Sequence, residues 1–418
     1  NEGHQDLRMP QQIESAVAAT WRIEGARVVA TLISIVRDVE LAEDLAQEAV
    51  VDALRQWPEQ GIPRNPGAWL TAVAKRKAID AWRRRDALAE RYAAMAEQLD
   101  DTAVNAFEPI GDETLRLVFV ACHPVLSREA QVALTLKLVA GLSTDELARL
   151  FLVTVTTMQQ RLVRAKKSLS AARVAFDVPE PHEWPRRMAS VLAVVYLIFT
   201  EGYAATSGGS WMRRDLANEA LRLGRRLVGM VPREAEAHGL LAFMELQASR
   251  FGARLDRDGR PVLLADQDRS RWDHTQIARG RAALARSDAL ATRQQYALQA
   301  AIAEQHAIAA SVESTDWAHI VLLYDLLARV APSPVVDLNR AVAVSMAVGP
   351  EAALAIVNEL AGDAHWRESA LLPSVRGELL LRVGRHAEAR AELLIAVERT
   401  SNDRQREALL RRIDPSEH

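Results

Sequence analysis

Residues 142–169 read LSTDELARLFLVTVTTMQQRLVRAKKSL, and the spacing of caps and apolar residues in that stretch decides the fold. Ser143-Thr144-Asp145-Glu146 is a capping-box pattern, with Ser143 as cap and Glu146 reaching back. The helix it opens is short and runs to about Leu150. Thr154 caps the next helix, which runs to about Ser170. Just upstream, Ser127 is placed to cap a helix ending at Gly141, a residue suited to a left-handed C-terminal position. Two short helices joined by a tight turn form a helix-turn-helix. The second carries Gln159, Gln160, Arg161, Arg164, Lys166 and Lys167, with no acid until Asp177. Glutamine pairs with adenine edges, and arginine with guanine edges or phosphate. The alternative is a solvated helical hairpin with a charged face.

Around this stretch the chain reads as all-α. Alanine, leucine, arginine and glutamate are strong helix formers, and apolar residues recur at three- and four-residue spacing almost everywhere. Strand-like alternation is confined to RLDRDGRPVLL (254–264), where Asp258-Gly259 predicts a turn, hence a small hairpin or ordered loop. PEQGIPRNPG (58–67) breaks one helix and starts another. EQLDDTAVNAFEPIGDE (97–113) is acidic and poorly periodic, which predicts a linker, as does DVPEPHEWP (177–185). The length of 418 residues suggests two or three domains. Three segments follow: 10–92, 115–175 and 180–418, the first two separated by a linker at 93–114.

Composition narrows the function. The formal net charge of −3 argues against a protein coated in cation, so any nucleic-acid contact must come from local patches. The single cysteine, Cys122, excludes an internal disulfide framework and fits a reducing cytoplasm. MASVLAVVYLIFT (188–200) is too short to span a bilayer and predicts a buried helix. The N-terminus lacks a signal-peptide core, and Met9 reads as the natural start.

One such patch is AKRKAIDAWRRR (74–85). It holds six cations, one carboxylate and one tryptophan. On a helix, Lys75 and Trp82 are seven apart, as are Arg76 and Arg83, giving adjacent stripes. The cations can neutralise phosphates while the indole offers a face to an unstacked base. The alternative is a basic helix end complementing its own dipole, with Trp82 half buried.

The order of these pieces resembles the extracytoplasmic-function branch of the sigma-70 family of bacterial RNA polymerase sigma factors. An acidic helix, DVELAEDLAQEAVVDALRQW (38–57), precedes the basic helix, and a linker and helix-turn-helix follow. The family's "DLxQExxxxAL"-like helix stands here as Asp44-Leu45-Ala46-Gln47-Glu48, then Ala53-Leu54. Its −10 helix stands as Ala68-Trp69-Leu70 through Arg85, and its −35 helix as Thr157 through Lys166. The resemblance implies contact with core polymerase by Asp44, Leu45, Gln47, Glu48, Val51 and Asp52. It implies −10 contact by Lys75, Arg76, Asp80, Trp82, Arg83 and Arg84. Contact with the −35 element falls to Thr157, Gln159, Gln160, Arg161, Arg164 and Lys167. The segments 10–92 and 115–175 are then sigma regions 2 and 4.

The remaining segment, 180–418, exceeds a minimal two-domain sigma factor. YLIFTEGYAATSG (196–208), VLLADQDRSRWD (262–273) and PSPVVDLNRAVAV (332–344) resemble a subfamily with a tetratricopeptide-like C-terminal extension. Independently, VGPEAA begins at Val348 and VGRHAEA at Val383, close to the ~34-residue period of such repeats. Ala389, Leu393 and Ala396 fall where a repeat packs helix on helix. A stack of this kind presents a concave surface to a regulatory peptide, protein or ligand.

No catalytic constellation emerges. Cys122-His123 has no partner at metal-ligand spacing and reads as a packed thiol. Asp256, Asp258, Asp266, Asp268 and Asp273 lack the order of a calcium loop and read as ion-pair partners of Arg254, Arg257, Arg260, Arg269 and Arg271. No phosphate-binding or nucleophile-elbow motif is present. The sequence therefore predicts a cytoplasmic transcription-initiation factor, with no catalytic activity, metal or cofactor, and an in-cis regulatory extension. The competing reading is a helix-turn-helix regulator whose repeats sense a ligand or peptide.

Overall fold

Helical spacing in the sequence becomes a succession of helices in the computed structural model, which describes residues 8–85, 112–151, 153–203, 212–257 and 260–413. Among the described residues there is no strand; Leu255 and Pro261 form an isolated antiparallel bridge. That bridge is the hairpin expected near 254–264, reduced to one pair. The chain divides into two compact units, 1–195 and 196–418.

The first unit opens with α1 (Arg8–Val36), α2 (Val39–Gln60) and α3 (Pro66–Arg85). Asp38 accepts a hydrogen bond from the Leu41 amide at 2.9 Å and so caps α2. This helix buries Ala42, Leu45, Ala46, Ala49, Ala53 and Trp57. Small residues on that stripe let α1 and α3 approach closely, and Trp57 meets the edge of Trp69 at 5.6 Å. Gly61 takes a φ of +82°, a left-handed conformation that favours glycine, and ends α2. Asn65 then accepts from the Ala68 amide at 3.1 Å, capping α3 from the residue before Pro66.

After residues 86–111, which hold most of the expected acidic linker and lie outside the described residues, α4 (Asp112–Ala121) begins. Ser127 caps α5 (Arg128–Leu134) as expected, by accepting from Ala130. Beyond Leu134 the helix widens into a π turn, Thr135–Val139, before Gly141 reverses the chain at φ +75°. Then come α6 (Thr144–Leu150), α7 (Val155–Ala171) and α8 (Trp184–Tyr203). The unit boundary falls inside α8, whereas breaks in composition mark residues 177–185. The first turns of α8 explain the difference. Trp184 packs edge-on against Phe119 at 5.2 Å, and Ser190 donates to the Cys122 carbonyl at 2.9 Å.

In the second unit, α9 (Arg214–Met230) and α10 (Ala235–Ala248) lead to α11 (His274–Leu290) and α12 (Gln295–Ile308). A Cβ on Gly239 would stand 2.7 Å from the Ala297 backbone nitrogen, so α10 and α12 meet at backbone distance. The Glu236 carboxylate accepts from the Tyr296 and Ala297 amides at 2.7 and 3.1 Å, capping α12 from another helix. Burial raises the Glu236 pKa; these backbone donors oppose the rise.

Among the described residues the unit continues through α13 (Trp317–Val330), α14 (Pro334–Ala347), α15 (Pro350–Leu360), α16 (Leu371–Arg382), α17 (His386–Arg399) and α18 (Asp403–Ile413). The two VG segments occupy equivalent turns, before α15 and before α17. Ala389, Leu393 and Ala396 are fully buried, at the positions expected for repeat packing. Leu338, Leu354, Val357, Trp366 and Leu379 form one continuous core across successive helices. Each such fully buried aliphatic side chain contributes about 1.5–3 kcal/mol.

Candidate nucleic-acid interface

The helix-turn-helix is built from local hydrogen bonds that the sequence dictates. Ser143 Oγ accepts from the Glu146 amide at 3.1 Å, and Glu146 accepts from the Ser143 amide at 2.7 Å. Thr154 Oγ1 accepts from the Thr157 amide at 3.2 Å, which fixes the start of α7. That helix then sorts its residues by face. Met158, Leu162, Ala165 and Leu169 are buried, while Gln159, Gln160, Arg164 and Lys167 are exposed. Arg161 is half-buried and lies 3.6 Å from Glu129. Thr157 is held at the cap, its hydroxyl 2.9 Å from that of Thr154.

Charge on α3 is divided differently. Arg76 and Asp80 are exposed and Lys75 is half-buried. Lys77 faces α2, at 2.9 Å from Asp52 and 3.2 Å from Glu48. The Asp52 hydrogen bond holds its ammonium above the usual lysine pKa, against a smaller opposing effect of burial. Trp82, Arg83 and Arg84 lie in the last turn of α3; their side chains fall outside the described residues.

On α2, Asp44, Glu48 and Val51 are exposed and Gln47 and Asp52 half-buried, whereas Leu45 is only 4 % exposed and packs in the core. Burial keeps the Asp44 carboxyl above the ordinary range; Glu43, Glu40 and Glu48 add to this and Lys166 opposes it. The pattern of this helix left one residue unremarked. Glu43 is 6 % exposed, and its carboxylate lies 2.8 Å from Lys166 of α7 and 3.5 Å from Lys137 of the π turn. A second link runs from Arg22 of α1 to Glu146 of α6 at 2.8 Å. No pattern within a single helix reveals such pairs, since their partners stand more than 90 residues apart in sequence.

Cys122 is a packed thiol, as expected. Its sulfur lies 3.3 Å from the Thr135 hydroxyl, and burial pushes its pKa up to about 12. Such a thiol is not a nucleophile at neutral pH. Two of the aspartates near 256–273 behave otherwise than expected, and Asp258 lies outside the described residues. Asp268 and Asp273 cap the Ser270 and Gln276 amides, and neither Arg254 nor Arg269 pairs with any of these carboxylates. Capping competes successfully because each of these aspartates precedes a helical turn. Among the described residues no group of His, Cys, Asp or Glu side chains could hold a metal, and no helix is long and apolar enough to cross a membrane.

Comparisons with known proteins agree with this arrangement. Residues 22–88 match Sigma-70 region 2 and residues 116–169 match Sigma-70, region 4. Residues 187–288 match a family of unknown function, DUF6596. The chain is 40 % identical over 392 residues to the uncharacterized protein R00370 of Rhizobium meliloti (strain 1021), covering 90 % of each. It is 28 % identical over 172 residues to the probable ECF RNA polymerase sigma factor SigI of Mycobacterium tuberculosis (strain ATCC 25618 / H37Rv). That match spans 40 % of this chain and 59 % of the relative. The chain belongs to the extracytoplasmic-function branch of the sigma-70 family and carries an additional C-terminal helical region. It is thus a sigma factor, of a family that works with core RNA polymerase at promoter DNA and is not a class of enzymes.

Proposed function

We propose that α2 docks on core polymerase, that α3 captures the −10 strand, and that α7 enters the −35 major groove. The observation that carries this reading is the division of α7. One face is apolar and buried, and the other presents Gln159, Gln160, Arg164 and Lys167 without a carboxylate. In this scheme Asp44, Glu48 and Val51 form the polymerase-facing side of α2, with Leu45 acting through the core behind them. Lys75, Arg76 and the last turn of α3 meet the −10 strand. There Trp82 stacks on an unpaired base, worth about 1–3 kcal/mol against the cost of melting.

The Glu43 contact makes this a closed form. Elements at −10 and −35 lie 25 positions apart, about 85 Å along straight duplex at roughly 3.4 Å per position. A compact unit of this length has a radius of gyration of about 16 Å. While Glu43 holds Lys166, α3 and α7 cannot engage both elements, so assembly with polymerase parts them.

The second unit acts on this transition in cis, through a regulatory peptide, protein or ligand. The test compares the full chain with one ended after Val195, for core binding and for transcription from one cognate promoter. A cut at 176 would strip the α8 turns that cover Phe119 and Cys122. If the folded shorter chain behaves identically in both assays, the regulatory role is rejected.

A further inference from the structure

The second unit contains a run of arginines and aromatic rings that the promoter reading does not use. Arg254 is only 6 % exposed. Its guanidinium sits 3.4 Å from the centroid of the Tyr203 ring and donates to the Tyr203 carbonyl. Arg250 stands 5.8 Å from the centroids of both Tyr203 and Trp272, and donates to the Tyr203 hydroxyl and to Gln247. Arg269 lies 5.1 Å from the Trp272 centroid on the same run. It donates to the carbonyls of His306 and Ala309, both at 2.7 Å, and to the Thr315 hydroxyl at 3.2 Å.

All these acceptors are neutral. No carboxylate among the described residues bonds Arg250, Arg254 or Arg269. Asp268 and Asp273, which flank Arg269 in sequence, are spent as helix caps. The exposed Glu313 acts on Arg269 only through space, and more weakly than burial and Arg250. The charges therefore press on one another. Burial, with a smaller contribution from Arg250, brings Arg254 down to about 10. Burial, Arg250 and Arg269 together push the His306 imidazole down to about 3, so it stays neutral.

Aromatic faces offset part of this charge, by about 0.5–2 kcal/mol each, which is small beside the cost of removing a guanidinium from water without a counter-ion. Two further polar atoms in the cluster, Trp272 Nε1 and His306 Nδ1, are buried without a hydrogen-bond partner among the described residues. Trp272 itself is 4 % exposed.

A cleft of about 540 Å³ opens beside Trp272 and Arg269, within the range of roughly 300–1,000 Å³ typical of small-ligand sites. Ile277, Ile308, His274 and Arg281 are among the residues that line it, and no acidic side chain among the described residues does. Arg281 is already paired with Glu304 at 2.8 Å, whereas Arg269 bonds only neutral acceptors among the described residues.

We propose that this cleft binds a small organic oxyanion, its phosphate or carboxylate group seated on Arg269 with Arg250 and Arg254 behind, and its apolar body against Ile277 and Ile308. A planar guanidinium fork matches either acid group, and an anion supplies the counter-charge that the cluster lacks among the described residues. The site stands or falls independently of promoter recognition, because its test is binding alone.

Isothermal titration of the full-length chain with inorganic phosphate, and separately with hexanoate, provides that test, at ionic strength held constant with sodium chloride. The expected result is saturable one-site binding of at least one anion. Phosphate alone would mark a phosphate-bearing ligand, and tighter binding of hexanoate a carboxylate with an apolar tail. Arg269→Lys keeps the charge and loses the fork, and should weaken binding at least tenfold. Arg293→Gln, which removes a cation paired elsewhere with Asp288, should leave it unchanged. Absence of saturable binding of either anion to the wild-type chain overturns the proposal, as does equal weakening by both substitutions.

Discussion

Glu43 and Lys166 stand 123 residues apart in sequence and 2.8 Å apart in space. The pair ties the acidic helix α2 to the helix proposed to read the −35 element. Lys137 completes a triad whose side chains are nearly excluded from water. Breaking a buried ion pair by removing one partner costs about 3–5 kcal/mol where the remaining charge stays buried. Here that cost can be relieved by moving α7 away and letting both lysines reach water.

Glu43→Ala should therefore open the first unit. Dyes placed on cysteines at the exposed positions Val51 and Val163 report the separation, since the native Cys122 is buried and will not compete for label. Wild type should show one short distance and Glu43→Ala a longer or broader one. Adding Lys137→Met and Lys166→Met to the variant should restore the short distance. An unchanged distance in Glu43→Ala would mean the triad does not hold the closed form.

Arg164 and Arg161 should differ in their effect on promoter binding. Arg164 is exposed on the polar face of α7, whereas Arg161 shares its charge with Glu129. Losing a phosphate contact lowers affinity on all sequences and flattens the salt dependence by about one unit. Losing a base contact instead relaxes one position, at ~1–3 kcal/mol. Holoenzyme titrations against salt distinguish these, with the larger loss expected for Arg164→Ala. Wild-type affinity and slope in both variants would remove α7 from the interface.

Trp82→Ala should impair strand opening more than closed binding. Permanganate reactivity of −10 thymines is expected to fall while protection at −35 persists, and a pre-melted template should partly rescue the variant. Normal opening on duplex promoters would assign Trp82 to packing.

The link between α1 and α6 predicts a pH dependence. Burial raises the Glu146 pKa, but the Ser143 backbone and hydroxyl bonds, followed by Arg22, prevail and hold it below its ordinary 4.5. A depressed carboxylate stabilises the fold above its unfolded pKa and loses that contribution as pH falls through the lower folded value. Stability should thus drop as pH falls below about 4.5, and Glu146→Gln should flatten this part of the profile. An equally steep acid limb in the variant would place the dependence elsewhere.

How much of this could be read from the chain follows from the range of each interaction. Ser127, Ser143 and Thr154 cap helices within four residues of themselves, so their roles were legible, as were the buried stripes of α2 and α7. The π turn at 135–139 was not, because apolar residues pack on either helical winding and the widening depends on what they face. Glu43 resembled any other acid on an acidic helix. Arg254 and Arg269 resembled surface cations near aspartates, until folding placed them over Tyr203 and Trp272 and gave Asp268 and Asp273 to caps. Long-range pairing decides the closed form and, through the bonds of Arg269 to His306, Ala309 and Thr315, much of the oxyanion cleft, and no local spacing encodes it.

Transcription in vitro with purified core polymerase tests the central claim most directly. The full-length chain and core together should yield transcripts from a cognate promoter that neither yields alone, and specific footprints at −35 and −10 should require core. Specific operator binding by the chain without polymerase, with no transcript when core is added, would contradict the account and favour a helix-turn-helix regulator.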